Sequence, residues 1–259
     1  MTYLLLVIDV GNTNIVLGLY NGSSLLRSWR MGTRQNQTSD EMGAMMRSWL
    51  THEGAGRGVL KNVIISSVVP DIIYSMTNAI RKYFDITPMI VSREMKLGVN
   101  LDTGSRELGA DRIVNCVSAF TKFGGPVIII DFGTATTYDA MAKCGRFVTG
   151  ITAPGIKISA DALFSRAALL GKVELTLPPS ILVTSTTESV QAGILYGAIG
   201  QTRYIIQEIK KAMDEDEVTV VATGGLAHVV ANGGKIFDHI EPTLTLEGLR
   251  ILFEMNSEK

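Results

Sequence analysis

Residues 4–8, LLLVI, form an apolar run of strand length that stops at Asp9. Gly11 and Asn12 follow, and residues 15–19, IVLGL, read as the returning strand. Asn and Gly tolerate the positive φ that a tight hairpin demands. The pattern therefore predicts a buried strand whose end carries Asp9 on a rim of backbone N–H groups. Gly11 has no side chain to hold a ligand off that backbone, and Thr13 adds a hydroxyl. A carboxylate, a glycine turn and a hydroxyl at one strand end suit a phosphate with its metal ion. A hairpin whose aspartate merely closes an Asx-turn fits the same residues. A second copy shifts the balance: residues 127–141, VIIIDFGTATTYDAM, repeat the apolar run, Asp131, Gly133-Thr134 and a return. Laying IDVGNTN over IDFGTAT without a gap matches Asp9 to Asp131, Gly11 to Gly133 and Thr13 to Ala135.

The rest of the first half alternates strands and amphipathic helices. Residues 23–33 continue as strand. Thr38 with Glu41 three positions on is a capping-box pattern, and Met42, Met45, Met46, Trp49 and Leu50 recur at helical spacing as a core stripe. Residues 63–65 read as a short buried strand before Ser66 and Ser67, whose hydroxyls either satisfy loose backbone groups or touch a ligand, the first being favoured. A helix over 71–84, a strand over 89–91 and an irregular loop over 99–107 follow. Leu108-Gly109-Ala110-Asp111-Arg112 then enters a helix to about residue 122, with Ile113, Val117 and Phe120 on its buried side. Asp111 falls where an N-cap falls. Arg112 sets a cation at the positive end of the helix dipole, which is more easily explained if it meets an anion.

In the second half, residues 143–146 read as a hairpin turn, and a strand leads to a Pro154-Gly155 turn. Residues 156–169 have helical periodicity, and 188–212 read as one long helix. Ala192, Gly193, Gly197, Ala198 and Gly200 on that helix suggest close approach of another helix, from this chain or from a partner subunit. Residues 218–222 are the last clear strand, ending at Thr223-Gly224-Gly225 before a helix start, a place where an anion or a nucleotide edge meets backbone. A final helix covers 244–255. The boundary between halves falls near residues 115–126, giving units 1–118 and 119–259.

Composition narrows the partners. The 259 residues carry a formal net charge of −1 and no basic block, which argues against nucleic acid as the main partner. No apolar run approaches the roughly 18–20 residues of a membrane span, and the N-terminus has no basic lead of a signal peptide. Two cysteines, Cys116 and Cys144, give neither a disulfide framework nor zinc spacing. The expectation is a reduced, cytoplasmic protein.

Taken together, Asp9-Val10-Gly11-Asn12-Thr13, Gly109-Ala110-Asp111-Arg112, Asp131-Phe132-Gly133-Thr134 and Thr223-Gly224-Gly225 resemble type III pantothenate kinase, of the acetate kinase, sugar kinase, Hsp70 and actin superfamily. The resemblance runs essentially end to end and includes residues 66–70 and 186–193. It implies an α/β fold of two related ribonuclease-H-like, actin-like domains, each a mixed sheet flanked by helices, with the active site in the cleft between them. It further implies that Asp9, Val10, Gly11, Asn12, Thr13, Asn14, Ile15 and Val16 form the first ATP phosphate loop. Asp9 would work with Mg2+, Asp131 would bind a monovalent cation (K+ or NH4+), and Thr134, Gly224 and Gly225 would contact ATP. Gly109, Ala110, Asp111, Arg112 and Thr186 would bind pantothenate, with Asp111 as catalytic base and Arg112 available to the pantothenate carboxylate.

The reaction so implied is ATP-dependent phosphorylation of pantothenate to 4'-phosphopantothenate, the first step of coenzyme A biosynthesis, by a homodimer with its pantothenate pocket near the subunit contact. Two departures from the family pattern stand out. Thr149-Gly150 replaces a Gly-Gly pair before the Pro-Gly turn, and Asp102 stands where the family commonly has a tyrosine lying on pantothenate. Two rival readings exist: another small-molecule kinase or phosphatase of the superfamily, and a non-enzymatic accessory factor for transcription.

Overall fold

The computed structural model describes residues 4–102, 108–167, 169–215 and 217–257. The chain divides into two compact units. Unit 1 is Met1–Gly98, Arg106–Ser118 and Leu244–Lys259, and unit 2 is Val99–Ser105 and Ala119–Thr243. Each is α/β, with a five-stranded mixed sheet.

In unit 1, β1 (Leu4–Val10), β2 (Asn14–Asn21) and β3 (Ser24–Gly32) form an antiparallel meander, and β4 (Asn62–Ser67) and β5 (Met89–Ile90) extend it in parallel from β1. The order is β3-β2-β1-β4-β5. Strand side chains alternate between faces. On one face Leu6, Ile8 and Val10 pack with Met42, Met46 and Leu50 of α1 (Ser39–His52) and with Ile72, Met76 and Ile80 of α2 (Pro70–Phe84). The methionine stripe is therefore core. The capping box is present too: Glu41 N–H donates to Thr38 Oγ1 (3.2 Å) and Thr38 N–H to Glu41 Oε2 (2.8 Å), a device worth about 1 kcal/mol.

On the opposite face lie Leu5, Val7 and Asp9. A Cβ at Gly18, the partner of Val7, would stand 3.1 Å from both Val7 Cγ2 and Leu246 Cδ1. Leu246 belongs to α7 (Leu244–Asn256), so the last helix covers this face. Chain order sets residues 244–256 with the second half, but packing sets them on the first sheet, because their apolar side (Leu246, Leu249, Leu252) is buried there. A buried Arg250 reinforces α7. Its Nη2 donates to Glu247 Oε1 and its Nη1 to Glu254 Oε2, both at 2.6 Å, and Tyr20 Oη of β2 donates to Glu247 Oε2 at 3.3 Å. Burial, with Glu247 alongside, pushes the Tyr20 phenol well above its ordinary value.

Unit 2 has the same plan. Here β6 (Val127–Phe132), β7 (Ala135–Met141) and β8 (Phe147–Pro154) form the meander, and β9 (Thr219–Thr223) and β10 (His239–Ile240) run parallel from β6, in the order β10-β9-β6-β7-β8. Its helices include α4 (Ile156–Arg166), α5 (Thr186–Met213) and the short α6 (Ala227–Ala231). The unit boundary falls inside α3 (Ala110–Phe123), after Ser118.

Several local expectations change. The turn after β1 needs no positive φ, since neither Gly11 nor Asn12 is in that region. It is a three-residue loop closed by Gly11 N–H donating to the Asn14 carbonyl at 3.0 Å. The long helix starts two residues early because Ser185 caps it, accepting from Glu188 N–H at 3.2 Å. α4 stops at Arg166 rather than 169, and β10, only two residues long, has no periodicity to betray it. Cβ atoms built at Gly193, Gly197 and Gly200 of α5 meet nothing within 4 Å, so no described helix of this chain approaches them closely. Of the expected loop 99–107, residues 103–107 lie outside the described residues. Among the described residues no helix is long and apolar enough to cross a membrane.

Replacing Arg250 by Ala is expected to cost about 1–3 kcal/mol, below the loss for a fully buried pair because Glu254 is partly exposed. Urea unfolding measures it. An unchanged midpoint would show that the apolar face of α7 holds the helix alone.

Candidate functional site

Asp9 is the penultimate residue of β1. It pairs with Val16 of β2 on one side and Ser66 of β4 on the other, at the end of four fully buried residues, Leu5 to Ile8. The turn beyond it is tied down twice by the end of β3: Thr33 Oγ1 donates to the Gly11 carbonyl (2.6 Å) and Thr33 N–H to the Thr13 carbonyl (3.0 Å). A Cβ at Gly11 would lie 3.1 Å from the Asn14 carbonyl oxygen, so glycine keeps the turn tight. Within the proposed first phosphate loop, Asn12 and Thr13 are exposed, and Gly11, Asn14 and Val16 are half-buried. The Val10 and Ile15 side chains belong to the core, so these two residues can offer a ligand only their backbone.

The Gly109–Arg112 motif comes to the same end of the same sheet. Val68, just past β4, donates its N–H to the Val10 carbonyl at 3.1 Å. A Cβ at Gly109 would lie 3.4 Å from Val68 Cγ1 and only 2.5 Å from Asp111 Oδ1. Gly109 is thus glycine because the Asp111 carboxylate stands over it. The helix begins at Ala110, so Asp111 sits inside its first turn rather than at the N-cap. Asp111 Oδ1 accepts from Arg112 N–H at 2.8 Å. Burial pushes the Asp111 carboxyl above its ordinary value, against the opposing pull of that N–H and of the Arg112 charge. A largely buried carboxylate with raised basicity is suited to accepting a proton.

Unit 2 builds its own corner. Asp131 pairs with Thr137 of β7 and Thr223 of β9. Gly133 N–H donates to the Ala135 carbonyl at 3.1 Å. This turn is one residue shorter than the first, since Asp131 pairs six positions on and Asp9 seven. The carbonyl that takes the glycine N–H is Asn14 in one turn and Ala135 in the other. Thr13 therefore corresponds to Thr134, not to Ala135 as the gapless alignment has it, and each turn presents a hydroxyl. Two more glycines close around this corner. Gly155 faces the Thr134 and Gly133 carbonyls with no room for a Cβ. Gly224 has φ +90°, and a Cβ there would lie 2.6 Å from Asp131 Oδ1 and from Phe132 N. Gly225, next in line, is exposed. The close approach of Gly155 carries no signal beyond a Pro-Gly turn in the sequence.

Thr186, the first residue of α5, lines a mainly apolar cavity of about 590 Å³ in unit 2 whose wall also includes Pro154, next to Gly155 of the Asp131 corner. Phe132, Ile156, Leu163, Gly193, Gly197 and Thr202 are among its lining. Tyr138 and Thr202 share a buried hydrogen bond (3.1 Å) at its edge. Asp102, at the tyrosine position of the family pattern, is exposed, and its N–H donates to Asn100 Oδ1 at 2.9 Å. Cys116 is buried core, and His239 stacks on Phe123 with ring centres 4.4 Å apart.

Among the described residues no three His, Cys, Asp or Glu side chains gather into a metal cluster. Magnesium takes hard oxygen donors and completes its shell with waters and substrate phosphates, and carboxylates at the ends of β1 and β6 are donors of that kind. Asp9 and Asp131 each stand beside a glycine turn.

The model of the type III pantothenate kinase family matches residues 5–208. The fold resembles those of several solved structures, kinases among them. A protein described as a 2-dehydro-3-deoxygalactonokinase from Sinorhizobium meliloti aligns with a TM-score of 0.63 at 12% identity, over 96% of this chain and 95% of that one. A protein described as a conserved Baf family transcriptional activator from Campylobacter jejuni aligns with a TM-score of 0.58 at 18% identity, over 97% and 98%. An inorganic polyphosphate/ATP-glucomannokinase from Arthrobacter aligns with a TM-score of 0.52 at 12% identity, over 98% and 100%. At these identities the likeness is one of fold.

The raised Asp111 carboxyl has a consequence for stability. A folded-state value above the unfolded one favours folding at low pH, and that contribution disappears as pH rises from the unfolded value through the raised one. At pH 7 the charged, half-buried carboxylate is therefore a burden. Asp111→Asn is expected to unfold at the same or higher urea concentration than the parent at pH 7, with the advantage shrinking toward pH 4. Lower stability at pH 7 would make Asp111 a structural anchor.

Proposed function

The chain belongs to the type III pantothenate kinase family, and we propose that it transfers the γ-phosphoryl group of ATP to the primary hydroxyl of pantothenate. A kinase of this superfamily, using ATP, a divalent metal and a small-molecule acceptor, follows from the family itself. The observation that supports the finer reading is Asp111. It is a half-buried carboxylate of raised basicity on the motif that carries the acceptor assignment, over a glycine with no room for a side chain.

Phosphoryl transfer asks the protein mainly for positioning and for neutralising charge. The hydroxyl oxygen of the acceptor forms the new bond to γ-phosphorus, the bond from γ-phosphorus to the β,γ-bridging oxygen breaks, and ADP leaves. Asp111 accepts the hydroxyl proton. Arg112 pairs with the pantothenate carboxylate in a charge-assisted contact that orients the acceptor. Gly109 and Ala110 give that end of the acceptor a close backbone, and Thr186 supplies a hydroxyl. The turn from Asp9 to Val16 holds phosphate oxygens, while Thr134, Gly224 and Gly225 contact the nucleotide. Asp9 would hold magnesium, whose charge offsets that of the phosphates, and Asp131 would hold the monovalent cation. Gly200 of α5, exposed and with no described atom within 4 Å of a built Cβ, leaves room for a second copy to approach, which supports a homodimer.

A coupled assay for ADP release, run with pantothenate and with a panel of sugars and short acids, tests the acceptor. Turnover confined to pantothenate is expected, and turnover with another acceptor alone would reassign the site. Asp111→Asn is expected to lose about 10²- to 10⁴-fold in turnover while still binding ATP. The acid limb of the parent's kcat/KM profile should lie above the ordinary Asp value of about 3.9, since burial raises it. Near-normal turnover by the variant would remove Asp111 from the role of base. Replacing K+ by a tetraalkylammonium ion should lower activity in the parent and change little in Asp131→Asn, and equal K+ dependence in both would take the monovalent cation away from Asp131.

A further inference from the structure

Ser66 is wholly buried at the end of β4, and its Oγ has no hydrogen-bond partner among the described residues. A buried hydroxyl left unpaired costs about 1–3 kcal/mol, and alanine would fill the same space without that cost. The neighbouring serine behaves differently. Ser67 Oγ accepts from Val69 N–H at 3.1 Å and donates to the Val69 carbonyl at 3.2 Å, ending the strand as an ordinary polar turn. Placement separates the two further. Ser66 is the direct parallel partner of Asp9, and laterally paired residues present their side chains on the same sheet face. Two residues on, Val68 binds the Val10 backbone and packs on Gly109, so Ser66 lies between the acidic turn and the Gly109–Arg112 motif along the end of this sheet.

We propose that Ser66 belongs to the nucleotide site. Its hydroxyl bonds the magnesium–phosphate end of the bound nucleotide beside Asp9, through a phosphate oxygen or a metal-bound water. The proposal rests on the kinase reading above. It gives the unpaired hydroxyl an occupant, and it explains why the strand ends in a serine on the Asp9 face when the backbone needs only Ser67. Ser118 of α3 provides a matched control, since it is also buried with an unpaired Oγ but lies nine positions after Gly109, packed against Gly248.

The test is a thermal-shift titration with the non-hydrolysable ATP analogue AMP-PNP, to millimolar concentration with excess magnesium and again with EDTA, alongside urea unfolding of the unliganded proteins. The parent is expected to be stabilised by Mg·AMP-PNP. Ser66→Ala should bind it about tenfold more weakly, the effect of one hydrogen bond to a charged group, while its unliganded stability is equal or higher. Ser118→Ala should match the parent in binding. Equal affinity of Ser66→Ala and the parent would overturn the proposal. So would a loss of unliganded stability in Ser66→Ala, which would show that the hydroxyl already has a partner inside the fold. If the parent itself fails to bind the nucleotide, the kinase reading falls, and this proposal with it.

Discussion

A carboxylate can end a buried apolar strand only if the chain turns away at once and nothing crowds the charged group. In both units of this protein that condition is met by glycine. Gly11 and Gly133 close the turns after Asp9 and Asp131 with their own N–H groups. Gly224 lets the exit of β9 pass so close to Asp131 that a Cβ would lie 2.6 Å from its Oδ1, in a backbone region that other residues rarely enter. Gly109 does the same for Asp111. Each aspartate is placed by a missing Cβ, and the chemistry assigned to the chain depends on those three carboxylates being where the glycines allow.

The common plan of the two sheets makes the likeness of Asp9 and Asp131 structural as well as textual. Either sheet is a three-stranded meander with two parallel strands added on the far side of the first. This much was legible in the amino-acid order, because an apolar run, an aspartate and a glycine are strong local signals. The registration of the turns was not. One is a residue shorter than the other, and only the strand pairing reveals that Thr13 answers to Thr134. Long-range packing was equally invisible. Nothing in residues 244–256 says which sheet their apolar side covers, and a two-residue strand such as β10 has too few positions for a period. The small residues of α5 signalled close approach, yet no described helix of the same chain supplies it. Ser66 and Ser67 look alike in sequence and differ only in which face and which partners the strand end gives them.

The helix bearing Asp111 is itself held from behind. Gly248 lets α7 come against the Val114 carbonyl, and Thr245 Oγ1 donates to the buried Asn115 Oδ1 at 2.8 Å, one turn after Asp111. The Arg250 cluster then pins α7 to β2. A chain of packed groups in unit 1 thus runs from the C-terminal helix to α3, the helix that carries Asp111. In this unit, the contacts that hold α7 in place also hold the helix bearing the proposed base.

A crystal structure with AMP-PNP, magnesium and pantothenate bound addresses the central claim most directly. The account predicts phosphate oxygens within hydrogen-bond reach of the backbone at residues 11–13, with the acceptor hydroxyl at the Asp111 carboxylate. Nucleotide phosphates seated in the 590 Å³ cavity beside α5, with the turn after Asp9 untouched, would contradict it.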